Sequence, residues 1–247
     1  MTKSPKPSPQ VLFIHGLEGH PNGSKVRMLR SQGFDVRAEN MHMSLTQMRK
    51  RNSAVRNLFR LPEVRAIFVF FAAVIVASSA LRFPAISLVS VAGWAWLFFR
   101  RRALLAAALG KSFVRCVAIQ RKAILHDAPD ILIGSSWGGA VAAELIASGV
   151  WAGPTILLAP AVARVSEGAR RNDLAKTKAA LHAAATRARV VIFHDPSDSV
   201  VPHEDSVSLA RDSSIDLRSV DAGGHRLLAL LEGGELGETI RALMPEA

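Results

Sequence analysis

The chain has 247 residues, enough for one catalytic domain with an insertion and a full hydrophobic core. Its single cysteine, Cys116, excludes an internal disulfide framework, and no cysteine and histidine spacing matches a zinc site, so we expect neither metal nor cofactor. Tyrosine is absent and there are 4 tryptophans, a composition that argues against an aromatic-rich reader of nucleic acid or carbohydrate.

The net charge of +11 is concentrated in one part of the chain. Residues 49–122 hold 14 lysines and arginines but one acidic residue, Glu63, so this segment carries +13 and the remainder −2. A basic segment joined to a nearly neutral body favours contact with an anionic lipid membrane through 49–122, and we expect no nucleic-acid partner.

The first elements form a strand, a helix and a second strand. Residues 1–9 hold three prolines and no long apolar run, so we expect a disordered tail rather than a signal peptide. Val11–Ile14 is a short apolar run typical of a buried parallel strand. The pattern then predicts a helix over Asn22–Gln32, ended by Gly33, and a strand over Phe34–Ala38.

Residues 46–127 form a basic and apolar helical insertion. Thr46–Arg60 is helical and basic, and two uncharged stretches follow, Ala66–Leu81 and Phe83–Phe99, separated by Arg82-Phe83-Pro84. Each stretch would reach only about 24–26 Å as a helix, slightly less than a bilayer core. The sequence therefore predicts a helical hairpin over 64–102 that is inserted in the membrane or, alternatively, buried as a lid or in an oligomer.

The charges beside the hairpin predict its orientation. Arg65 precedes it and Arg100-Arg101-Arg102 follows it, so the positive-inside rule places both flanks in the cytoplasm. We expect the protein at the inner membrane with its catalytic domain on the cytoplasmic side, and a cytoplasmic protein is the alternative. Ala103–Leu125 continues as a helix that could lie on the membrane or belong to the body. Its apolar stripe is formed by Leu105, Leu109, Phe113, Val117 and Ile124.

Strands and helices alternate again after the insertion. Strands are predicted at Ile131–Gly134, Thr155–Leu158, Val190–Phe193 and Ile215–Val220, and helices at Trp137–Ser148, Leu174–Ala188, Glu204–Arg211, Arg226–Leu231 and Leu236–Leu243. With the first two strands, this predicts an α/β domain over 10–45 and 128–247. Its parallel sheet of about six strands has helices on both faces.

The segment Gly134-Ser135-Ser136-Trp137-Gly138-Gly139 lies between a predicted strand and a predicted helix. It fits the G-x-S-x-G nucleophile elbow with Ser136 at its centre. A nucleophilic serine needs a histidine base and a carboxylate that orients the histidine. The histidine candidate is His225, in a glycine-containing loop after the last strand. The acid candidate is Asp198 after the preceding strand, with Asp195 as its competitor.

The loop His15-Gly16-Leu17 follows the first strand and can present backbone N–H groups to an oxyanion. We expect the N–H groups of Leu17 and Trp137 to form the oxyanion hole. The His15 ring is expected to hydrogen-bond the loop rather than act as a base.

Four ordered segments, HGLEG, GSSWGG, the Asp-x-x-Val-Pro loop and GGH, together resemble the α/β-hydrolase superfamily. The resemblance is to small bacterial esterase-like serine hydrolases and covers residues 10–45 and 128–243. It implies that Ser136 is the nucleophile, Asp198 the acid and His225 the base of a reaction through an acyl-enzyme. The apolar hairpin departs from the family, which leaves the substrate less defined than the chemistry.

The sequence thus predicts a membrane-associated serine hydrolase that cleaves lipophilic acyl esters or thioesters. Two alternatives remain at this point. One is a hydrolase-like membrane scaffold without activity, and the other is an acyltransferase or peptidase that uses the same three residues. The hairpin could also mediate oligomers.

Overall fold

The computed structural model describes residues 9–43, 58–81, 85–169, 173–221 and 223–244. The predicted N-terminal tail, most of the predicted helix 46–60 and the bend at Arg82-Phe83-Pro84 lie outside these ranges.

Six parallel strands form one sheet, which confirms the predicted fold class. They are β1 (Gln10–Ile14), β2 (Asp35–Arg37), β3 (Ile131–Ser135), β4 (Thr155–Leu158), β5 (Val190–His194) and β6 (Asp216–Ser219). Their order across the sheet is β2-β1-β3-β4-β5-β6. The order reverses between β1 and β3, where open parallel sheets place their ligand sites beyond the carboxyl ends of the strands.

Helices cover both faces of the sheet. They are α1 (Ser24–Ser31), α2 (Pro62–Leu81), α3 (Ala85–Asp127), α4 (Trp137–Ala147), α5 (Val162–Ala169), α6 (Leu174–Arg187), α7 (His203–Ala210), α8 (Leu228–Glu232) and α9 (Glu235–Leu243), with a 3₁₀ turn at Gly224–Arg226. One core cluster joins the sheet to α1, α8 and α9, and another joins it to α3 to α7. Helix α5 was not predicted from the sequence.

The long helix α3 belongs to both the insertion and the body. Phe113 and Ile124 are buried in the core and Leu109 and Val117 are packed against it, whereas Leu105 is 51 % exposed. The apolar stripe is therefore buried against the body in its later turns and exposed at Leu105, and its contact with a membrane stays a prediction. Within the described part of the chain, the stretch Phe98–Asp127 alone is long and apolar enough to cross a membrane, and its most apolar window is 39 % buried.

Candidate active site

Ser136 lies on a strained turn between β3 and α4. Its backbone angles, φ 54° and ψ −117°, are sparsely populated by residues other than glycine. The turn is possible because its glycines admit close neighbours. A Cβ on Gly138 would overlap the carbonyl oxygens of Ile14 and His15, and one on Gly134 would lie 2.7 Å from the Gly138 carbonyl oxygen. The elbow is therefore pressed directly against the end of β1.

The three predicted residues of the triad are brought together by three separate loops. The Oγ of Ser136 lies 2.9 Å from Nε2 of His225, and Nδ1 of His225 lies 2.7 Å from Oδ2 of Asp198. An ionised carboxylate only accepts hydrogen bonds, so Nδ1 carries the imidazole proton and Nε2 is free to accept the Ser136 hydroxyl. This is the arrangement in which a neutral histidine can act as a base toward a serine.

Asp198 is held as a carboxylate inside the protein. Its Oδ1 accepts hydrogen bonds from the backbone N–H groups of Val200 and Val201, at 2.7 and 3.0 Å. Burial alone would raise the pKa of Asp198, but the hydrogen bonds from His225 and from these two N–H groups outweigh it and lower the pKa. Asp198 therefore remains charged at neutral pH and can stabilise a protonated His225.

His194 supplies a further hydrogen bond to this carboxylate. Its ring is fully buried, and Nε2 lies 3.0 Å from the Val201 carbonyl oxygen and 3.2 Å from Oδ2 of Asp198. Because a carbonyl can only accept, Nε2 carries the proton, and Nδ1 accepts the Ser206 hydroxyl at 2.7 Å. Burial lowers the pKa of His194, which favours this neutral form. His194 ends β5 four residues before Asp198, which from the sequence alone indicates a residue near the acid loop.

Asp195, the competing acid, has a different set of partners. Its Oδ2 accepts the N–H groups of Gly223 and Gly224, each at 2.6 Å, and its Oδ1 accepts the N–H and the hydroxyl of Ser197. The hydrogen bond from the Ser197 hydroxyl is the main cause that lowers the pKa of Asp195 to about 2. Asp195 therefore ties the loop after β5 to the loop that carries His225, while Asp198 contacts the imidazole itself.

Two backbone N–H groups near Ser136 are available to an oxyanion. Trp137 is the first residue of α4, where N–H groups have no partner within the helix. Gly16 passes so close that a Cβ on it would lie 3.3 Å from Cβ of Ser136. Among the described residues, neither the Leu17 N–H nor the Trp137 N–H has a hydrogen-bond acceptor. Both predicted donors thus belong to residues that directly follow Ser136 or its close neighbour Gly16, and their role as an oxyanion hole stays a prediction.

The loop after β1 is held by His15. Its Nδ1 lies 2.8 Å from the Gly16 carbonyl oxygen, and its Nε2 is 3.4 Å from the Met41 N–H, which it accepts weakly. The ring is buried, and burial lowers its pKa. His15 therefore fixes the backbone that leads to Leu17.

The insertion reaches the elbow through Phe113. Its ring meets the indole of Trp137 edge to face, with centroids 5.5 Å apart and an interplanar angle of 85°. Residues of α3 therefore form part of the support for the turn that carries Ser136. Across the described residues, no group of three or more histidine, cysteine or acidic side chains is placed to hold a metal ion.

Solved structures with an α/β-hydrolase fold superpose on nearly the whole chain. A protein from Xanthomonas campestris pv. campestris, described as a hydrolase of the alpha/beta superfamily, is 18% identical with a TM-score of 0.51, over 95% of this chain and 99% of its own. Est1E from Butyrivibrio proteoclasticus is 16% identical with a TM-score of 0.51, over 97% of this chain and 88% of its own.

A third structure has a more specific description. The 2-hydroxy-6-oxo-6-phenylhexa-2,4-dienoate hydrolase from Rhodococcus sp. strain RHA1 is 14% identical with a TM-score of 0.54, over 95% of this chain and 90% of its own. No protein-family model matches the chain, and neither does any curated protein sequence. Likeness at these identities establishes the α/β-hydrolase fold.

Proposed function

We propose that this protein with an α/β-hydrolase fold is a serine hydrolase that cleaves carboxylic esters through an acyl-enzyme. The observation that carries the proposal is the continuous chain of hydrogen bonds from Asp198 through His225 to Ser136 on a strained turn. Strain at a single serine is retained where function needs it. Hydrolases and esterases among the structural neighbours support the same class of reaction.

The geometry supports a two-step mechanism. His225 Nε2 takes the Ser136 proton as Oγ attacks the ester carbonyl, and the Leu17 and Trp137 N–H groups stabilise the oxyanion. When the tetrahedral intermediate collapses, His225 returns the proton to the leaving oxygen or sulfur, and an acyl-Ser136 ester remains. Water then attacks this ester with His225 again as the base. Asp198 stays ionised and stabilises the imidazolium in both steps.

Ser136→Ala tests the proposed nucleophile. Cleavage of 4-nitrophenyl butyrate should fall by about 10⁴-fold or more in kcat, because the attacking oxygen is lost. A fluorophosphonate probe should label the wild type and not the variant, since only an activated serine reacts. Ser208→Ala, a serine on α7 outside the triad, is the matched control.

The two measurements separate the alternatives. Full cleavage by Ser136→Ala would refute the assignment of the nucleophile. A wild type that neither cleaves the ester nor reacts with the probe would favour the scaffold without activity.

We further propose that the insertion binds an anionic membrane and that the substrate is a lipophilic acyl ester or thioester. The support is a set of exposed, mostly aromatic side chains on the two insertion helices, which we call the aromatic surface. It consists of Phe68, Val69, Phe70, Phe98 and Phe99, each between 45 % and 80 % exposed. Water-exposed aromatic residues in such number on one insertion are typical of a surface that contacts lipid or protein.

Arginines beside the aromatic surface favour lipid as its partner. Arg100 lies over the Trp96 ring at 5.5 Å and Arg101 over the Phe98 ring at 3.7 Å. Aromatic rings with adjacent cations are suited to the headgroup region of anionic bilayers.

Phe99→Asp tests the membrane proposal in the full chain. Binding to vesicles of phosphatidylcholine and phosphatidylglycerol should weaken by about tenfold or more. The variant loses a phenyl ring that would insert into the bilayer, and it gains a negative charge. Sedimentation with the vesicles measures the change. Leu125→Asp is the matched control, since Leu125 is 71 % exposed on the same helix but about 39 Å further along it. Equal weakening in both variants, or in neither, would contradict a role for the aromatic surface.

A further inference from the structure

Lys25 is a cation next to the elbow. It is the second residue of α1, and its Nζ donates a hydrogen bond to Oγ of Ser135, at 3.0 Å. Ser135 is the residue before Ser136. Among the described residues Lys25 makes no ion pair. Within the described part of the chain, the hydrogen-bond partner of this ammonium is therefore a neutral hydroxyl.

Arg226 is a second cation at the same place. It directly follows His225 in the 3₁₀ turn, is exposed, and its guanidinium has neither a hydrogen bond nor an ion pair within the described residues. Burial is the main reason why the pKa of Lys25 is lowered to about 8. The charge of Arg226 lowers it further and that of Asp198 raises it. Lys25 contacts the residue before Ser136, and Arg226 follows the residue that contacts Oγ of Ser136, so both cations lie beside the elbow.

An arrangement of this kind is unfavourable in the free protein. Removing an ammonium from water without a counter-ion costs stability, and a second cation nearby adds repulsion. An anion placed between Lys25 and Arg226 would offset both the desolvation of the ammonium and the repulsion between the two cations. It could also accept charge-assisted hydrogen bonds from them. Residues kept in such a state beside a reactive centre commonly serve ligand binding.

We propose that Lys25 and Arg226 form a subsite for an anionic group, carboxylate or phosphate, on the leaving-group part of the substrate. The inference rests on the proposed function, because His225 defines where the leaving group lies. His225 must protonate the leaving oxygen or sulfur, so that part of the substrate passes beside the turn that carries Arg226. The acyl part lies on the other side of the scissile bond.

Matched acetyl esters test the subsite. The neutral probe is 4-acetoxybenzamide, and the anionic probes are 4-acetoxybenzoate and 4-acetoxyphenyl phosphate. All three are acetyl esters of a phenol and differ only in the group opposite the ester. The wild type should prefer an anionic probe to the amide by about tenfold or more in kcat/KM, the gain expected from a charge-assisted hydrogen bond. The ratio of the two anionic probes tells whether the subsite favours carboxylate or phosphate.

Substitutions assign the preference to the two residues. Arg226→Met and Lys25→Met should each lower the ratio of anionic to neutral kcat/KM by about fivefold to tenfold, and Arg226→Lys should retain most of it. Lys176→Met removes an exposed lysine at α6, near Glu144 and far along α4 from Ser136, and should leave both rates unchanged. Because Arg226 is exposed and unpartnered, its variant remains informative if Lys25→Met fails to fold.

Three results would overturn the inference. These are equal kcat/KM for neutral and anionic probes in the wild type, a preference that survives in both methionine variants, and a stronger, Arg226-dependent preference for monophenyl succinate, whose anion is on the acyl side. All three presuppose that Ser136 cleaves the neutral probe. If Ser136→Ala cleaves 4-acetoxybenzamide as fast as the wild type, the proposed function has failed instead.

Discussion

Asp195→Asn removes the charge that ties the acid loop to the His225 loop. The carboxylate accepts two backbone N–H groups, from Gly223 and Gly224, at 2.6 Å, and its side chain is buried. Its pKa falls from the ordinary 3.8 to about 2 in the folded protein. With about 1.4 kcal/mol for each pKa unit, the ionised form stabilises the fold by about 2 kcal/mol at neutral pH. We expect the asparagine variant to lose about that much.

The pH dependence of this loss is the sharper test. The pKa is depressed in the folded state, so the stabilisation is complete above about pH 4 and is lost as the pH falls toward 2. Urea unfolding of the wild type and the variant should therefore differ by about 2 kcal/mol at pH 7 and by much less near pH 2.5.

Asp35→Asn is the matched control for Asp195→Asn. Asp35 is exposed on the edge strand β2 and makes only a 3.7 Å ion pair with Arg37, so its loss should matter little. Equal stability of Asp195→Asn and the wild type at pH 7 would refute the reasoning. So would a difference that persists unchanged at low pH.

Two further substitutions test the support of the site. His194→Phe removes the N–H donor that helps to orient Oδ2 of Asp198 toward His225, so the carboxylate should be placed less well to stabilise the imidazolium. We expect kcat to fall by about tenfold, with partial recovery in His194→Gln, whose amide can donate the same hydrogen bond. Gly138→Ala would force a Cβ into two backbone carbonyl oxygens and should cost more than about 3 kcal/mol of unfolding free energy. Gly168→Ala meets open space in a helix, and chemical denaturation should show it neutral or slightly stabilised.

The sheet could be predicted from the sequence because β1, β3, β4 and β5 are short apolar runs, while in and around the edge strands β2 and β6 apolar residues alternate with polar ones. Thr155–Leu158 is bounded as predicted, and the other strands differ by one or two residues at their ends. Helix α5 was missed because only Val162, Val165 and Ala169 mark its buried face, too few for a periodic signal in eight residues. The exposure of Leu105 could not be predicted, because periodicity shows which face of a helix is apolar but not which of its turns pack against the body.

The candidate triad could be predicted for a local reason, since each residue follows a strand and parallel strands end at one edge. The hydrogen-bond partners that distinguish Asp195 from Asp198 could not be predicted from the sequence. Asp195 bonds to Gly223 and Gly224, 28 and 29 residues away, and Lys25 bonds to Ser135, 110 residues away. The spacing of these residues in the sequence carries no signal for either contact, because only the folded structure brings together residues so far apart in the chain.

The long helix α3 limits how the membrane could serve the proposed reaction. Phe99, on the aromatic surface, and Phe113, against Trp137, are 14 residues apart, or about 21 Å along the axis. If α3 stands along the membrane normal, contact at Phe99 would leave the elbow outside the hydrocarbon, and an ester held in the bilayer would have to leave it to reach Ser136. Membrane binding would then act by raising the local substrate concentration.

Phe99→Asp should accordingly slow cleavage of a vesicle-held ester in proportion to the binding it loses, and leave cleavage of a water-soluble ester as it is. A loss on both substrates would instead indicate that α3 transmits a change to the elbow through Phe113.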